Sequence, residues 1–326
     1  MYNQTEAILS QYELEIHEVK KGRGTYICDT DKGMKLMVAF RGSNEKGMVL
    51  KELLEQLLIN DFPVEQIMLN KNDEVVTRDE ITGESFLVKD YITGRELDTG
   101  NPEELKAAVR LLALYHEAMK QVAIELPEKV RDNARQVVEI RKRHQRELIK
   151  VKNFIRNRKK KCEFEQLFMC SYVPMLDTVE KSIHILEKQE LQSPECMLCH
   201  GDVNQHNILC QNGNWRLVHF EGFTYSWSVL DLANFLRKIM EKNTWDVQLG
   251  MDLIHTYRKY TTMEDATLLQ LYGLLLFPEK FWKITNHYMN SRKSWISERD
   301  IDKLKKVIEQ EEERLNFMQN LFSFIE

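Results

Sequence analysis

His200, Asp202 and Asn207 stand at the spacing that phosphoryl transfer asks of a catalytic loop, within Cys199-His200-Gly201-Asp202-Val203-Asn204-Gln205-His206-Asn207-Ile208-Leu209. A carboxylate has to reach the acceptor hydroxyl as base. Five residues on, an amide oxygen has to reach a divalent metal on the nucleotide phosphates. A polar loop between two apolar strands aims both groups into one cleft, which makes Asp202 the candidate base and Asn207 a candidate metal ligand. The second strand, Trp215-Arg216-Leu217-Val218-His219-Phe220-Glu221, closes on further polar groups. Between the strands, Gln211-Asn212-Gly213-Asn214 reads as a tight hairpin turn that delivers Asn207 and His219 to the same cleft mouth.

The elements that must hold this loop change character along the chain. Residues 12–16 alternate apolar with charged side chains, 26–28 continue after Gly22 and Gly24, and 34–40 form a third apolar run, which predicts a β-meander. Lys21-Gly22-Arg23-Gly24-Thr25 is then the first hairpin, either a plain turn or a loop whose backbone N–H groups approach phosphate. Residues 51–59 predict an amphipathic helix carrying Glu52 and Glu55. Val75-Val76-Thr77 and Ser85-Phe86-Leu87-Val88 predict a hairpin around Ile81-Thr82-Gly83-Glu84.

From Asn101-Pro102-Glu103-Glu104 onward the text is helical, with Asn101 as N-cap and Pro102 at the first helical position. Leu105, Val109, Leu112 and His116 share one face, His116 as a core histidine. Residues 141–161 predict a long helix rich in Arg and Lys, read as a solvated face, or alternatively as a docking surface for an acidic partner. Helix continues over 176–189 up to a turn at Ser193-Pro194. Asp231 opens another helix, and 268–276 and 301–325 read as packed helices; no repeat or low-complexity linker interrupts them.

The loop resembles the aminoglycoside-phosphotransferase and choline-kinase branch of the protein-kinase-like fold, and more narrowly its spore-coat-associated CotS/YutH group. The resemblance extends to the hinge-like Asp90-Tyr91-Ile92-Thr93-Gly94-Arg95-Glu96, to residues 107–116 and to Asp231-Leu232-Ala233. It implies an α+β bilobal fold, with a small antiparallel β-sheet N-lobe over 1–90, a hinge over 91–97 and a larger, mainly helical C-lobe over 98–326. It also implies ATP and Mg²⁺ as cofactors of an active protein. Gly22 and Gly24 would lie over the phosphates, the Asp90 carbonyl and Ile92 N–H against the adenine edge, and Asp231 would anchor the fold internally.

Three departures bear on activity. Where this branch opens its metal-binding segment with Asp, the chain has His219, a softer neutral nitrogen donor that suits zinc or copper better than Mg²⁺. Loss of one such electrostatic stabiliser typically costs about 10²–10³ in rate. Glu221, two residues on, is the retained acidic metal candidate. The third strand carries Val38 where a phosphate-pairing lysine is expected, between Lys35 and Arg41; Glu52 or Glu55 of the following helix would be the glutamate partner of such a lysine, or else a solvated surface acid. Lys89 precedes the hinge where an apolar residue is usual, and a lysine buried there needs a partner or crowds the purine. The function implied is a spore-coat-associated kinase-like protein, structural or binding, with degraded or absent phosphotransfer. The alternative is an active ATP-dependent phosphotransferase on a small-molecule hydroxyl, sugar or choline-like, with Asp202 as base.

Composition bounds the remaining classes. At 326 residues with 43% hydrophobic content the chain can bury a substantial core, and a net charge of −5 gives no global attraction for nucleic acid or an anionic membrane. The start, Met1-Tyr2-Asn3-Gln4-Thr5-Glu6, lacks the basic and apolar run of a signal peptide, and no stretch reaches the ~18 apolar residues of a spanning helix. Synthesis in the cytoplasm is expected, with the spore coat as destination and other coat proteins or a small molecule as partners on the strength of the resemblance. The six scattered cysteines predict free thiols. Cys196-Met197-Leu198-Cys199-His200 matches a haem-attachment pattern that requires export, and a zinc site from Cys196, Cys199 and Cys210 needs His200 or His206 as fourth ligand.

Overall fold

A computed structural model describes residues 2–22, 24–131, 136–192, 194–291 and 297–325. Arg23 and Ser193, parts of the first hairpin and of the predicted turn before the catalytic-type loop, lie outside the described residues. The chain runs α1 Tyr2–Leu9, β1 Ile16–Lys21, β2 Thr25–Thr30, β3 Lys35–Ala39, α2 Asn44–Ile59, β4 Thr77–Arg78, β5 Ser85–Asp90, β6 Arg95–Glu96, α3 Pro102–Met119 and α4 Glu128–Arg131. It continues α5 Val137–Arg156, α6 Glu163–Glu190, β7 Cys196–Cys199, β8 Ile208–Gln211, β9 Asn214–Leu217 and β10 Thr224–Trp227. Among the described residues it ends with the helices α7 Leu230–Met240, α8 Val247–Arg258, α9 Asp265–Leu276, α10 Glu279–Asn290, α11 Glu298–Glu309 and α12 Glu311–Ile325. The fold is α+β, an antiparallel N-terminal sheet followed by a helical C-terminal part. Its residues form two compact units, one from within 1–98, 103–131 and 200–224, the other from within 99–102, 132–199 and 225–326.

The first unit is built on a five-stranded antiparallel sheet in the order β1-β2-β3-β5-β4. Alternation puts Cys28, Met37, Phe86 and Val88 on one face, where Ile8, Leu9 and Tyr12 cover them. The first strand expected at 12–16 is displaced. Tyr12 is core, its hydroxyl accepting from Thr77 Oγ1 at 2.9 Å, and pairing begins at Ile16, because α1 uses the preceding apolar positions to cap the sheet. Ser43 caps α2, accepting from Lys46 N, and that helix buries Leu50, Leu53, Leu54 and Leu57. Glu52 and Glu55, considered as partners of a strand lysine, are exposed, and Glu55 pairs with Lys51.

β8 and β9 close through Asn212 (φ 51°) and Gly213 (φ 80°), both left-handed as a two-residue hairpin loop requires, and β6 adds to the β8 edge. The second strand stops at Leu217 rather than running to residue 220, because His219 turns left-handed (φ 68°) and Phe220–Gly222 forms a short 3₁₀ turn.

The second unit packs helices around a core that includes Leu148, Val151, Phe164, Phe168, Val179, Phe281 and Leu304. Gly273 lets α9 approach α6, since a Cβ there would overlap Leu186, and Ser182 Oγ donates to the Gly273 carbonyl at 2.7 Å. The basic stretch is solvated over most of its length but not at Arg141, which is buried and paired with Glu279 at 2.9 Å. Its side chain falls on the inward stripe with Val137, Val138, His144 and Leu148.

Candidate active site

The catalytic-type loop is fixed from below by His200. Its ring is fully buried; Nε2 donates to the Val218 carbonyl at 2.9 Å and Nδ1 accepts from Asp202 N at 3.2 Å. That assigns the tautomer and ties the loop to the segment after β9. Phe220 packs against the His200 ring at 4.5 Å and against Tyr115 at 5.6 Å, holding the 3₁₀ turn down. Gly201 sits at φ 83° where a Cβ would overlap the Gly222 carbonyl oxygen, so glycine is what allows the loop and this turn to touch. The arrangement leaves Asp202 exposed at the loop crest.

Asn207 is held by its own backbone, with N donating to the Asn204 carbonyl at 3.1 Å and its carbonyl accepting from Val218 N at 3.0 Å. Its Nδ2 donates to the Asp202 carbonyl at 2.8 Å, leaving Oδ1 as the amide's acceptor. His206 Nδ1 lies 2.6 Å from Glu96 Oε2 at the rim. His200, with both ring nitrogens bonded within the fold, is not placed to complete a zinc site. Cys196 and Cys199 lie in β7, which pairs with β10, whereas Cys210 lies in β8. Among the described residues no group of three or more His, Cys, Asp or Glu is arranged to hold a metal by itself.

Asp202, Asn207, His219 and Glu221 line one cavity of about 590 Å³ in the first unit. Gly22, Asp90 and Ile92 line it as well. Gly24 does not; its φ of 72° serves the turn. The walls carry the apolar side chains of Ile27, Leu36, Ile92, Leu209 and Val218 beside these polar groups. The Asp90 carboxylate pairs with Lys35 Nζ at 2.7 Å, which commits the lysine at the start of β3, while Val38 is buried and Arg41 exposed.

The floor is a charge cluster that the sequence shows only in part. Lys89 Nζ pairs with Glu65 Oε1 at 2.8 Å and with Glu221 Oε1, and lies 3.4 Å from His219 Nδ1. His219 N donates to the same Glu65 oxygen at 2.8 Å, and His219 Nδ1 stands 3.7 Å from Glu221 Oε2. Lys89 and Glu65 are each 2% exposed at the side chain. Burial alone pushes the Lys89 ammonium down, but the charges of Glu65 and Glu221 outweigh it and hold its pKa above the usual lysine value. Burial likewise pushes Glu221 up, and Lys89 with His219 outweighs that, holding the carboxyl well below the usual range. Lys89 therefore has its partners in Glu65 and Glu221. Glu65 escaped the sequence reading. An acid beside the apolar Val64, Ile67 and Met68, together with a lysine ending the apolar Phe86-Leu87-Val88, was the available signal, since opposite charges in two buried segments need each other.

The donor set fits a Mg²⁺ carried on nucleotide phosphates. That ion keeps several waters and takes one or two protein oxygens, a role that Asn207 Oδ1 and the Glu221 carboxylate, both lining the cavity, would fill.

The family described as "Spore coat putative kinase YutH" matches residues 5–321. The chain belongs to this spore coat YutH family. It is 23% identical over 333 aligned positions to "Spore coat protein S" of Bacillus subtilis (strain 168), spanning 96% of this chain and 92% of that protein. Among solved structures it is similar to an aminoglycoside phosphotransferase from Alicyclobacillus acidocaldarius subsp. acidocaldarius DSM 446, with TM-score 0.82 at 18% identity over 98% of this chain and 96% of that one. It is also similar to an amicoumacin kinase solved in complex with AMP-PNP and Ca²⁺, with TM-score 0.64 at 14% identity over 96% and 92% of the two chains. These likenesses show the fold, that of the aminoglycoside phosphotransferase and choline-kinase-like kinases. Among the described residues of this YutH-family chain, no helix is long and apolar enough to cross a membrane.

Proposed function

We propose that this YutH-family chain is a nucleotide-binding component of the spore coat, in contact with other coat proteins, whose phosphoryl transfer is impaired at the metal position. The observation that carries it is His219. An imidazole, left-handed and turned toward Lys89 and Glu221, stands where the resemblance expects a Mg²⁺ carboxylate. In this reading residues 1–90 serve as a sheet lobe, 91–97 as hinge and 98–326 as helical lobe. Asp90 and Ile92 face the purine through their backbone, and the wall at Gly22 approaches the phosphates. Mg²⁺, when bound with the nucleotide, supplies charge neutralisation of the phosphate oxygens. Asn207 and Glu221 would hold it and Asp202 would take the acceptor proton.

A second reading, a working phosphotransferase on a small-molecule hydroxyl of a sugar or choline-like acceptor, is favoured by one observation: Asp202, Asn207 and Glu221 reach the same cavity despite His219. Thermal unfolding separates the readings. MgATP in excess raises the melting temperature of a binder by mass action, and Asn207→Ala abolishes the shift if the metal lies where proposed. No shift at millimolar MgATP removes nucleotide binding from the proposal. Robust turnover by the unmodified chain, measured as ADP release with a panel of small alcohols and amino alcohols, establishes the second reading and defeats impairment.

A further inference from the structure

The charge cluster on the cavity floor divides its partners between one held away from solvent and others that face the cavity. Lys89 is the one Lys or Arg among the described residues that line the cavity. Its Nζ is paired with Glu65 and Glu221 and lies 3.4 Å from His219 Nδ1. Of these partners Glu65 is 2% exposed and its Oε1 also receives His219 N–H, so it is held by two donors away from solvent. Glu221 and His219 are 17% and 33% exposed at the side chain and lie on the cavity side. An anion arriving through the cavity can displace the second pair but not the first.

We propose that Lys89 is the phosphate-binding ammonium of this cavity, supplied from β5 in place of the lysine that β3 lacks, with Glu65 as its fixed counter-carboxylate and Glu221 as the partner it exchanges for phosphate. The inference rests on the nucleotide reading above. The register supports the placement, since Lys89 is directly opposite Leu36 across the β3–β5 ladder and so shares the face that Leu36 presents to the cavity. Val38, two residues on from Leu36, belongs to that same face, so an ammonium lost from β3 is recovered one strand over. Charge supports the exchange. Lys89 with Glu65 and Glu221 sums to −1, a floor that repels phosphate; once Glu221 turns to a metal, Lys89 and Glu65 sum to zero and the repulsion goes. Glu65 Oε2 is buried with no hydrogen-bond partner, which leaves that carboxylate with acceptor capacity to keep the ammonium in place when Glu221 departs.

The test compares adenosine with ADP, by titration calorimetry on the full chain. In Mg²⁺, the parent is expected to bind ADP roughly tenfold or more tighter than adenosine. Glu65→Gln/Lys89→Met removes both charges at similar volume, a replacement that buried pairs often tolerate. It should bind adenosine like the parent and lose roughly ten- to hundredfold for ADP, the worth of a charged hydrogen bond. An unchanged ratio of ADP to adenosine affinity overturns the role of Lys89 while leaving nucleotide binding intact. A parent that binds neither ligand defeats the nucleotide reading itself. Should the double variant not fold, Glu221→Gln decides in EDTA: freeing Lys89 from its exchangeable partner should tighten metal-free ADP binding severalfold, and equal or weaker binding overturns the proposal.

Discussion

Two buried clusters of charge can be set side by side in this chain. Lys89, Glu65, Glu221 and His219 stand on the floor of a cavity of about 590 Å³ in the first unit. Arg141, Glu279 and His144 sit among the helices of the second, where the pocket beside Glu279 holds only about 30 Å³, space for a water or two. Both contain a cation and a carboxylate at hydrogen-bond distance. In the second cluster the partners face each other and aromatic rings, His144 lying flat on Trp282 at 3.3 Å between centroids and the Arg141 guanidinium 5.0 Å from the Phe277 ring. In the first, part of the coordination is turned to open space. Buried charge by itself marks neither stability nor function. What separates the two is whether a ligand can compete for a partner.

The comparison breaks most visibly if the helical cluster is opened. Glu279→Ala leaves Arg141 buried and unpaired, and about 3–5 kcal/mol of stability should be lost in urea unfolding with the ADP affinity of any folded protein unchanged. A change in ADP affinity at unchanged stability would make the two clusters alike. The pH dependence comes next. Burial pushes His144 down to about 4, against the opposing pull of Glu279 and with Arg141, Arg143 and Lys283 adding to the depression. A histidine held neutral in the folded state gives its full stability above the unfolded value near 6.5, and that contribution falls as the pH drops from there toward 4. The unfolding free energy from urea titration should therefore decline between pH 7 and 4.5, by up to about 3 kcal/mol from this group, and His144→Gln should flatten the decline. An identical slope in the variant would assign the acid sensitivity to the carboxylates.

A smaller effect is expected at the cavity. His219→Asp returns a hard oxygen donor beside Glu221 and should strengthen Mg²⁺-dependent ATP binding roughly tenfold, about 1.4 kcal/mol, read by calorimetry with and without EDTA. No gain would place the impairment somewhere other than the metal position. Least of all should follow from Glu55→Ala. Its carboxylate is exposed and paired with Lys51 on the solvent face of α2, so stability should stay within about 0.5 kcal/mol and nucleotide affinity should not move. A loss of ADP binding in Glu55→Ala would mean that α2 supplies the counter-carboxylate after all, and Glu65 would lose that role.

Much of this was legible in the residues. The two-strand frame of the catalytic-type loop follows from apolar runs and from Asn212-Gly213, where two left-handed residues in a row select a tight hairpin whatever surrounds it. The loop's chemistry follows from its side chains, because Asp202 and Asn207 are five positions apart on one short segment and need no distant partner to be recognised. Less visible was anything that depends on two segments meeting. Glu65 looks like a loop acid until the bridge between Ile67 and Lys89 brings it under β5, and Arg141 looks like one more solvated base until helix packing turns its stripe inward.

The sequence by itself determined the family, the antiparallel sheet followed by helices, and the identity of the polar groups at the loop, all of which rest on local spacing and on side-chain chemistry. Tertiary structure alone decided that Lys89 is paired with Glu65, that Glu221 is shared between an ammonium and the cavity, and that Arg141 is interior. The reason is that solvation and charge compensation are properties of neighbours in space. A chain read one residue at a time contains the charges, and only folding chooses which of them leave water together.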